Sequence, residues 1–278
     1  MKPLLLIMGL LISENALSQS ILSQVANLKS KVKKNEYFTE REFIDSAGNV
    51  LFTINFDKDN AIENNPMGFA IIANKFDANR NVVERKFLDK NERLFRTEGT
   101  GPAIERFSYD NRSNLVETSY YDEKNNLISG RFALIIAKHD SKGNTIEEQF
   151  FNAKRQLADG ISILKYKYDL NNNRIEEKRF YKNGQPVSYV RENLASTISY
   201  KYDDKARIVE KSFYKDNGEL VDGDAIVRYN YDIIPPNDIP SIYNNNNTEW
   251  AEEVRLDKNR IQIKRYFVPM PKTQKLPK

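Results

Sequence analysis

Few side chains in this sequence could support catalysis. The chain of 278 residues contains no cysteine and a single histidine, His139. A cysteine nucleophile, a thiolate metal site and a histidine-rich metal site are therefore excluded. A Ser-His-Asp triad would have to use His139, but no nucleophile and orienting group stand at a suggestive spacing from it. We predict a structural histidine and no catalytic residue.

Adjacent glutamates form a second candidate for chemistry. Glu147–Glu148 and Glu176–Glu177 resemble the pairs of carboxylates that glycoside hydrolases use as acid and as nucleophile or base. Neighbouring residues of a β-strand point to opposite faces, so neither pair can share one site. We expect these glutamates to pair with lysines, and an envelope glycoside hydrolase using repeat-borne carboxylates remains the alternative.

Acidic turns offer the last candidate, a calcium site. Asp77-x-Asn79-x-Asn81 and Asp169-x-Asn171-x-Asn173 look like the start of a calcium-binding loop, but the glycine at its sixth position and the glutamate at its twelfth are absent. We predict ordinary turns, with weak calcium binding as the alternative. No metal and no cofactor are expected.

Those turns belong to a repeat of about 31 residues. Its anchors are seven aspartates with intervals of 29 to 34 residues, and in the five middle units a β-branched residue and then a glutamate follow six and seven residues later. We call these residues the anchor aspartates: Asp45, Asp77, Asp110, Asp140, Asp169, Asp203 and Asp232.

Within each unit, aromatic and β-branched residues alternate with charged ones, which predicts half-buried strands separated by Asp/Asn/Gly turns. Each unit is therefore a β-hairpin with an aromatic and aliphatic face and a Lys/Glu face. If four residues separate each anchor aspartate from its partner, Lys138, Lys167 and Lys201 face Glu147, Glu176 and Glu210, while Tyr168 and Tyr202 face Ile175 and Val209. An extra residue between Glu176 and Phe180 predicts a bulge there.

The predicted fold class follows from the unit. It is mainly β, with tandem antiparallel hairpins that form an extended, curled or solenoid-like sheet and with a short N-terminal helix. The Lys/Glu face should carry outward aromatic residues at the far end of each second strand. If exposed in a row, they could stack on sugars or dock a protein, although a second buried layer is the alternative. These residues are Tyr121, Phe151, Tyr181 and Tyr214.

The clearest units read KYKYDLNNNRIEEKRFYKNGQP at 165–186 and SYKYDDKARIVEKSFYKDNGEL at 199–220. This Tyr-Asp motif resembles the YD repeats of the RHS superfamily over residues 40–234, and more closely a variant in exported or surface proteins of Gram-negative bacteria. The resemblance implies hairpins in an extended or spiral sheet, with roles in surface contact, carbohydrate binding or enclosing a toxin, and it implies no catalytic residue. The chain departs from the motif at Ile44, Phe52 and His139.

The flanks suggest six segments in all. Residues 1–18 have the basic start, apolar run and small-residue cleavage site of a signal peptide. We expect an amphipathic helix or linker at 19–36, with Ile21, Val25, Leu28 and Val32 on one side and a role as a cap of the array. The predicted repeat domain covers 37–234, a Pro/Asn-rich loop 235–249, a terminal hairpin 250–268 turning at Asp257–Arg260, and a basic disordered tail 269–278.

Charge and hydropathy limit the partners. The net charge is +4, and three lysines of the last seven residues account for most of it, so no nucleic-acid partner is expected. No later segment has the apolar length of a membrane span. We therefore expect an exported protein (periplasmic, at the cell surface or secreted) that acts as a binding or structural module without enzymatic activity, and whose partner is a protein or a carbohydrate of the cell envelope.

Overall fold

The computed structural model describes residues 20–34, 38–128, 132–188, 195–231 and 248–271. The predicted signal peptide at 1–18 lies outside these residues, as do most of the predicted loop at 235–249 and residues 272–278 of the predicted tail. Within the described ranges, no helix combines the length and the apolarity that crossing a membrane requires.

The described residues form one short helix and sixteen strands, which follow one another in sequence order in a single antiparallel sheet. The mainly β class with tandem hairpins is therefore confirmed. The elements are α1 Ile21–Val25, β1 Lys29–Lys34, β2 Thr39–Ile44, β3 Val50–Phe56, β4 Ile71–Phe76, β5 Val82–Leu88, β6 Ile104–Tyr109, β7 Leu115–Tyr121, β8 Leu134–His139, β9 Thr145–Phe151, β10 Ile161–Tyr168, β11 Arg174–Tyr181, β12 Thr197–Tyr202, β13 Ile208–Tyr214, β14 Ile226–Asn230, β15 Thr248–Leu256 and β16 Gln262–Pro271.

In the described ranges, the anchor aspartates from Asp45 to Asp203 build the turns that join the two strands of each repeat hairpin. In the turn at Asp169, the carboxylate accepts the backbone N–H groups of Asn171 and Asn173 at 2.9 and 2.8 Å, and the Asn173 amide donates to its other oxygen at 2.9 Å. Asn172 has a positive φ of 62°. The same pattern recurs at Asp45, Asp77, Asp110 and Asp140.

The predicted register is right for the charged pairs and wrong for the loop. Lys167 pairs with Glu176 and Lys201 with Glu210, but Tyr168 faces Arg174 and Tyr202 faces Ile208. Three residues, not four, separate the aspartate from its hydrogen-bonded partner, because the third adopts the left-handed conformation and starts a bulge.

That bulge has a second consequence, since it changes the exposure of the β-branched residues after the turn. Ile146 and Ile175 stand at the bulge and are 37% and 36% exposed, rather than covered by the tyrosines. The position predicted for a bulge, between Glu176 and Phe180, is also wrong. Those residues pair regularly, and the irregularity lies in the opposite strand between Ile161 and Ile163.

At four places in the described ranges, a tyrosine hydroxyl connects one repeat unit to the unit before it. The tyrosine that precedes the anchor aspartate donates to a backbone carbonyl next to the preceding turn. The four bonds are Tyr109 to Val82 at 3.0 Å, Tyr168 to Thr145 at 2.8 Å, Tyr202 to Arg174 at 2.7 Å and Tyr231 to Ile208 at 3.1 Å. The Tyr-Asp pair therefore has two structural roles: the aspartate shapes its own turn and the tyrosine joins neighbouring hairpins.

The chain divides into two compact units. The first comprises residues 1–136 and 152–155, and the second comprises residues 137–151 and 156–278. The core of the first unit contains Ile54, Ile71 and Phe43 and is covered by Ile21 and Val25 of α1. The core of the second contains Ile208, Ile226 and Val221, among other residues.

The short helix expected within 19–36 is confirmed at Ile21–Val25, but it does not reach Leu28 or Val32. Only Ile21–Val25 is helical, and Lys29–Lys34 forms strand β1, which pairs with β2. The helical spacing of Leu28 and Val32 predicted a longer helix than the one observed. Val32 lies instead on the lysine-rich end strand β1, where it is 54% exposed. Ile21 and Val25 nevertheless bury the apolar side of the helix, as expected of a cap.

Both ends of the terminal hairpin extend past their predicted limits. Strand β15 begins at Thr248, and β16 continues to Pro271, so residues 269–271 of the predicted tail belong to the sheet. The turn between the strands is at Asp257–Arg260, where it was expected, and it repeats the anchor geometry, with the Asp257 carboxylate accepting from Asn259 and Ile261.

Candidate binding site

The predicted row of outward aromatic residues is present only in part, because its members are not fully exposed and one of them lies on the other face. Tyr121, Phe151, Tyr181 and Tyr214 are all half-buried. At the equivalent strand ends, Tyr121 forms a single bridge to Leu127 and Tyr214 forms one to Leu220, both after the second turn of their units. In the hairpin at Asp169 the bridging residue is Phe180. Alternation therefore places Phe180, and not Tyr181, on the Lys/Glu face.

Cations cover part of this row. The guanidinium of Arg106 lies over the Tyr121 ring at 4.4 Å from its centroid, and the Lys165 ammonium lies over Phe180 at 5.4 Å. Each cation stands two residues after the cross-strand partner of the aromatic residue. One face of each of these rings is thus occupied, which reduces the surface left for stacking a sugar.

Glutamates of the Lys/Glu face lie between cations of neighbouring strands, as predicted. The Glu210 carboxylate is 2.8 Å from both the Lys201 ammonium and the Arg228 guanidinium, and Glu147 is 2.8 Å from Lys138 and 3.6 Å from Lys165. Burial alone would raise the pKa of Glu210, but the hydrogen bonds from Lys201 and Arg228 outweigh it and lower the pKa. These carboxylates are positioned as structural ion pairs.

The anchor aspartates from Asp45 to Asp203 likewise form their hydrogen bonds within their own turns. Burial would raise the pKa of Asp169, but the hydrogen bonds from Asn173 and Asn171 lower it. In the described ranges, no group of three histidine or acidic side chains is arranged to hold a metal ion. Neither Asp77 nor Asp169 thus gathers the acidic ligands of a calcium loop.

His139 occupies the position of the linking tyrosine. Its Nε2 atom is 3.1 Å from the hydroxyl of Thr145, within its own hairpin. The Nδ1 atom is buried and has no hydrogen-bond partner among the described residues. The ring contacts a threonine hydroxyl, but no carboxylate orients it.

The opposite, aromatic face carries buried charges that the sequence analysis did not anticipate. Glu177, 9% exposed, bonds Arg179 at 2.7 Å, and in the first unit Arg85 bonds Glu105 at 3.1 Å. The place of Glu177 follows from the alternation, which puts the second glutamate of a Glu-Glu pair on this face. The missed signal was the arginine two or three residues away.

Three strands of the second unit place such charges around a small cavity of about 170 Å³. Lys211 on β13 pairs with Val227 on β14, Val227 pairs with Arg255 on β15, and Tyr229 pairs with Glu253. These five residues therefore share one face of the sheet, and Phe213 and Asp224 complete the lining. We call this cavity the polar pocket.

A single guanidinium organises the polar pocket. Arg255 donates to Glu253 at 2.7 Å through Nε and to Asp224 at 2.8 Å through a terminal nitrogen. Both carboxylates are buried, 8% and 5% exposed. The fixed fork of arginine suits two such acceptors, so three charged side chains are held in one geometry.

Lys211 and Tyr229 provide the other two functional groups. The Lys211 ammonium lies 5.3 Å from the centroid of the Tyr229 ring. Burial lowers the pKa of Lys211, and the nearby Glu253 opposes that shift. Burial raises the pKa of Tyr229, which keeps its hydroxyl protonated as a donor. The polar pocket thus offers donors, acceptors and aromatic rings within one small volume.

A second, open cleft lies between two consecutive turns of the same unit. Its volume is about 560 Å³, and it is lined by the turns at Asp140 and Asp169 together with Ile146, Ile175 and Leu170. Leu170 is 92% exposed. The Lys142 ammonium reaches across the cleft to the Leu170 carbonyl at 3.4 Å, so the neighbouring turns remain in contact.

Comparisons with known proteins add little to this description. No protein-family model matches the chain, and no curated protein sequence matches it. The chain is similar to a solved structure described as "Crystal Structure of TcdB2-TccC3-TEV", with 11% identity and a TM-score of 0.35. The similarity covers 83% of this chain but 11% of that one, so the chain spans about a ninth of its length.

Proposed function

We propose that this protein is an exported β-hairpin repeat module of the bacterial cell envelope or surface that binds a ligand and catalyses no reaction. The observation that carries the proposal is the polar pocket, in which Arg255 fixes two buried carboxylates beside Tyr229 and Phe213. Aromatic faces and fixed charged groups are the combination with which proteins hold a sugar ring and its hydroxyls. The proposed ligand is a single sugar unit of an envelope polysaccharide.

Size and pairing favour binding over hydrolysis. The polar pocket, at about 170 Å³, is smaller than the ~300–1,000 Å³ typical of ligand clefts, so it suits one small group rather than both sides of a glycosidic bond. Glycoside hydrolysis needs two carboxyl groups with separate acid and base or nucleophile roles. Here Asp224 and Glu253 bond the same guanidinium.

A glycan array with the purified chain, followed by calorimetric titration, tests the proposal. Lys211→Gln alters the polar pocket, and Lys201→Gln is its matched control, because Lys201 lies on the Lys/Glu face and is 65% exposed. We expect Lys211→Gln to weaken sugar binding at least tenfold and Lys201→Gln to leave it unchanged. Release of shortened glycans, or equal binding by both variants, would overturn the proposal.

The aromatic row provides a second contact surface in this proposal, for a protein or a longer glycan. Tyr214→Ser and Phe151→Ser remove two of its rings on the Lys/Glu face. A loss of binding that Lys211→Gln does not reproduce would locate the contact in the row. Unchanged binding by both serine variants would show that the aromatic row does not contact the ligand.

A further inference from the structure

The last strand, β16, presents an edge unlike that of the first strand. It is ten residues long and pairs with β15 on one side, and no other strand of the described ranges pairs with it. Ile263, Tyr266 and Phe267 are 45%, 43% and 41% exposed. Long apolar edges invite pairing with another chain, and proteins usually protect them with charge or proline.

The first strand, β1, has that protection. Its sequence KSKVKK contains four lysines in six residues. Strand β16 also carries two cations, Lys264 and Arg265. Pairing of β1 from one molecule with β16 of another would therefore set like charges against each other. Open-ended head-to-tail assembly through these two edges is disfavoured.

Two prolines reveal which backbone groups of β16 are available. Pro269 and Pro271 pair with Trp250 and Thr248, yet proline has no N–H to donate. The ladder bonds to β15 must therefore come from the alternate residues, Val268 and Met270. By the same alternation, the N–H groups of Arg265 and Phe267 point away from β15. Pro269 and Pro271 have no N–H, so the row of donors on the free edge of β16 ends at Phe267.

We propose that β16 pairs with β16 of a second copy of this chain in an antiparallel, two-fold symmetric dimer. The register places Tyr266 opposite its counterpart and Arg265 opposite Phe267 of the other copy. Arg265 and Phe267 then exchange backbone hydrogen bonds across the interface, and the guanidinium lies beside an aromatic ring. Such a two-fold contact closes on itself and gives a dimer rather than a filament.

Absence of native cysteine makes the test specific. At a pair without direct hydrogen bonds, opposite Cα atoms are about 4.5 Å apart, within the ~4.4–6.8 Å that a disulfide bridges. Tyr266→Cys should therefore form a disulfide-linked dimer under mild oxidation. Val32→Cys is the control, because it places an exposed cysteine on β1.

Sedimentation of the purified chain provides the second measurement. We expect a concentration-dependent dimer that Phe267→Pro converts to a monomer with an unchanged melting temperature, since the lost N–H points away from β15. A monomer at all concentrations, or equal cross-linking of Tyr266→Cys and Val32→Cys, would overturn the proposal. If Phe267→Pro unfolds, the cross-linking comparison still decides.

Discussion

At the scale of single residues, the tyrosine and the aspartate of a Tyr-Asp pair such as Tyr202-Asp203 form hydrogen bonds in different hairpins. The aspartate closes the turn in which it stands, while the tyrosine hydroxyl reaches a carbonyl of the preceding hairpin. Burial raises the pKa of Tyr202 to about 12, so this hydroxyl stays protonated and remains a donor at neutral pH. The repeat motif is thus explained by hydrogen bonding within and between hairpins.

Tyr202→Phe should destabilise the protein by about 1 kcal/mol, because it removes one hydrogen bond and leaves the Arg174 carbonyl without that donor. The free energy of unfolding, measured with urea, checks this. Tyr214→Phe is the control, since it removes a tyrosine hydroxyl away from the anchor turn. Equal stability of the two variants would contradict the linking role.

Glu210 should make stability depend on acid. Its pKa is lowered in the folded protein, so the stabilisation it provides is present above the unfolded value of about 4.3 and is lost as the pH falls through the lower folded value. Glu210→Gln should therefore be destabilising at pH 7, and its difference from wild type should shrink towards pH 3.

Unfolding in urea at both pH values measures that difference. Glu123→Gln, which changes an exposed carboxylate in a turn, is the matched control. A Glu210→Gln effect that grows on acidification would contradict the sign of the argument.

At the scale of elements, each of the two turns of a repeat unit depends on one residue with a positive φ, as at Ala206 and Gly218 in the unit of Asp203. The turn Lys215–Gly218 ends at Gly218, whose φ is 83° and around whose Cα there is open space. Gly218→Ala should therefore cost about 1 kcal/mol through backbone strain alone. Gly218→Asn should cost less, because asparagine tolerates this conformation and occupies it at Asn60, Asn125 and Asn172.

Thermal melting of the two variants measures this cost. A larger loss for asparagine than for alanine would show that side-chain volume, and not backbone conformation, controls the position.

The cap helix α1 provides a second prediction at this scale. Ile21 is 7% exposed and packs on the core of the first unit, whereas Leu22 is 49% exposed. Ile21→Ala should cost about 2–3 kcal/mol, and Leu22→Ala should cost much less. Chemical unfolding gives both values, and similar losses for the two variants would show that the helix does not cover the core.

Hairpin pairing was predictable from the sequence because charge alternation at Lys167 and Glu176 specifies which residues face each other. The geometry of the turn was not predictable from the sequence. Its positive-φ position is occupied by residues as different as Asn172, Ala206 and Arg80, so residue type alone does not indicate that conformation. The polar pocket was also missed. Its lining comes from β13, β14 and β15 and from Asp224, and in the sequence the Pro/Asn-rich stretch 235–249 interrupts the repeat before β15, so periodicity could not align Lys211 with Arg255.

At the scale of the whole molecule, consecutive hairpins of the described ranges lie side by side in one antiparallel order. The contact between hairpins is as specific as that within them, since Glu176 pairs with Ser199 across β11 and β12. Its register depends on the linking tyrosine, because the Tyr202 hydroxyl bonds the Arg174 carbonyl two residues before Glu176.

Disulfide trapping between neighbouring hairpins tests this claim most directly. In the cysteine-free chain, the double variant Glu176→Cys/Ser199→Cys should form an intramolecular disulfide, because directly opposed residues have Cα atoms about 4.5–5.5 Å apart. The control Glu176→Cys/Lys201→Cys joins diagonal positions about 7–8 Å apart, beyond easy reach. Mass spectrometry of the oxidised proteins should find the first cross-link and not the second. The opposite result, or no cross-link in either variant, would contradict the side-by-side order of the hairpins.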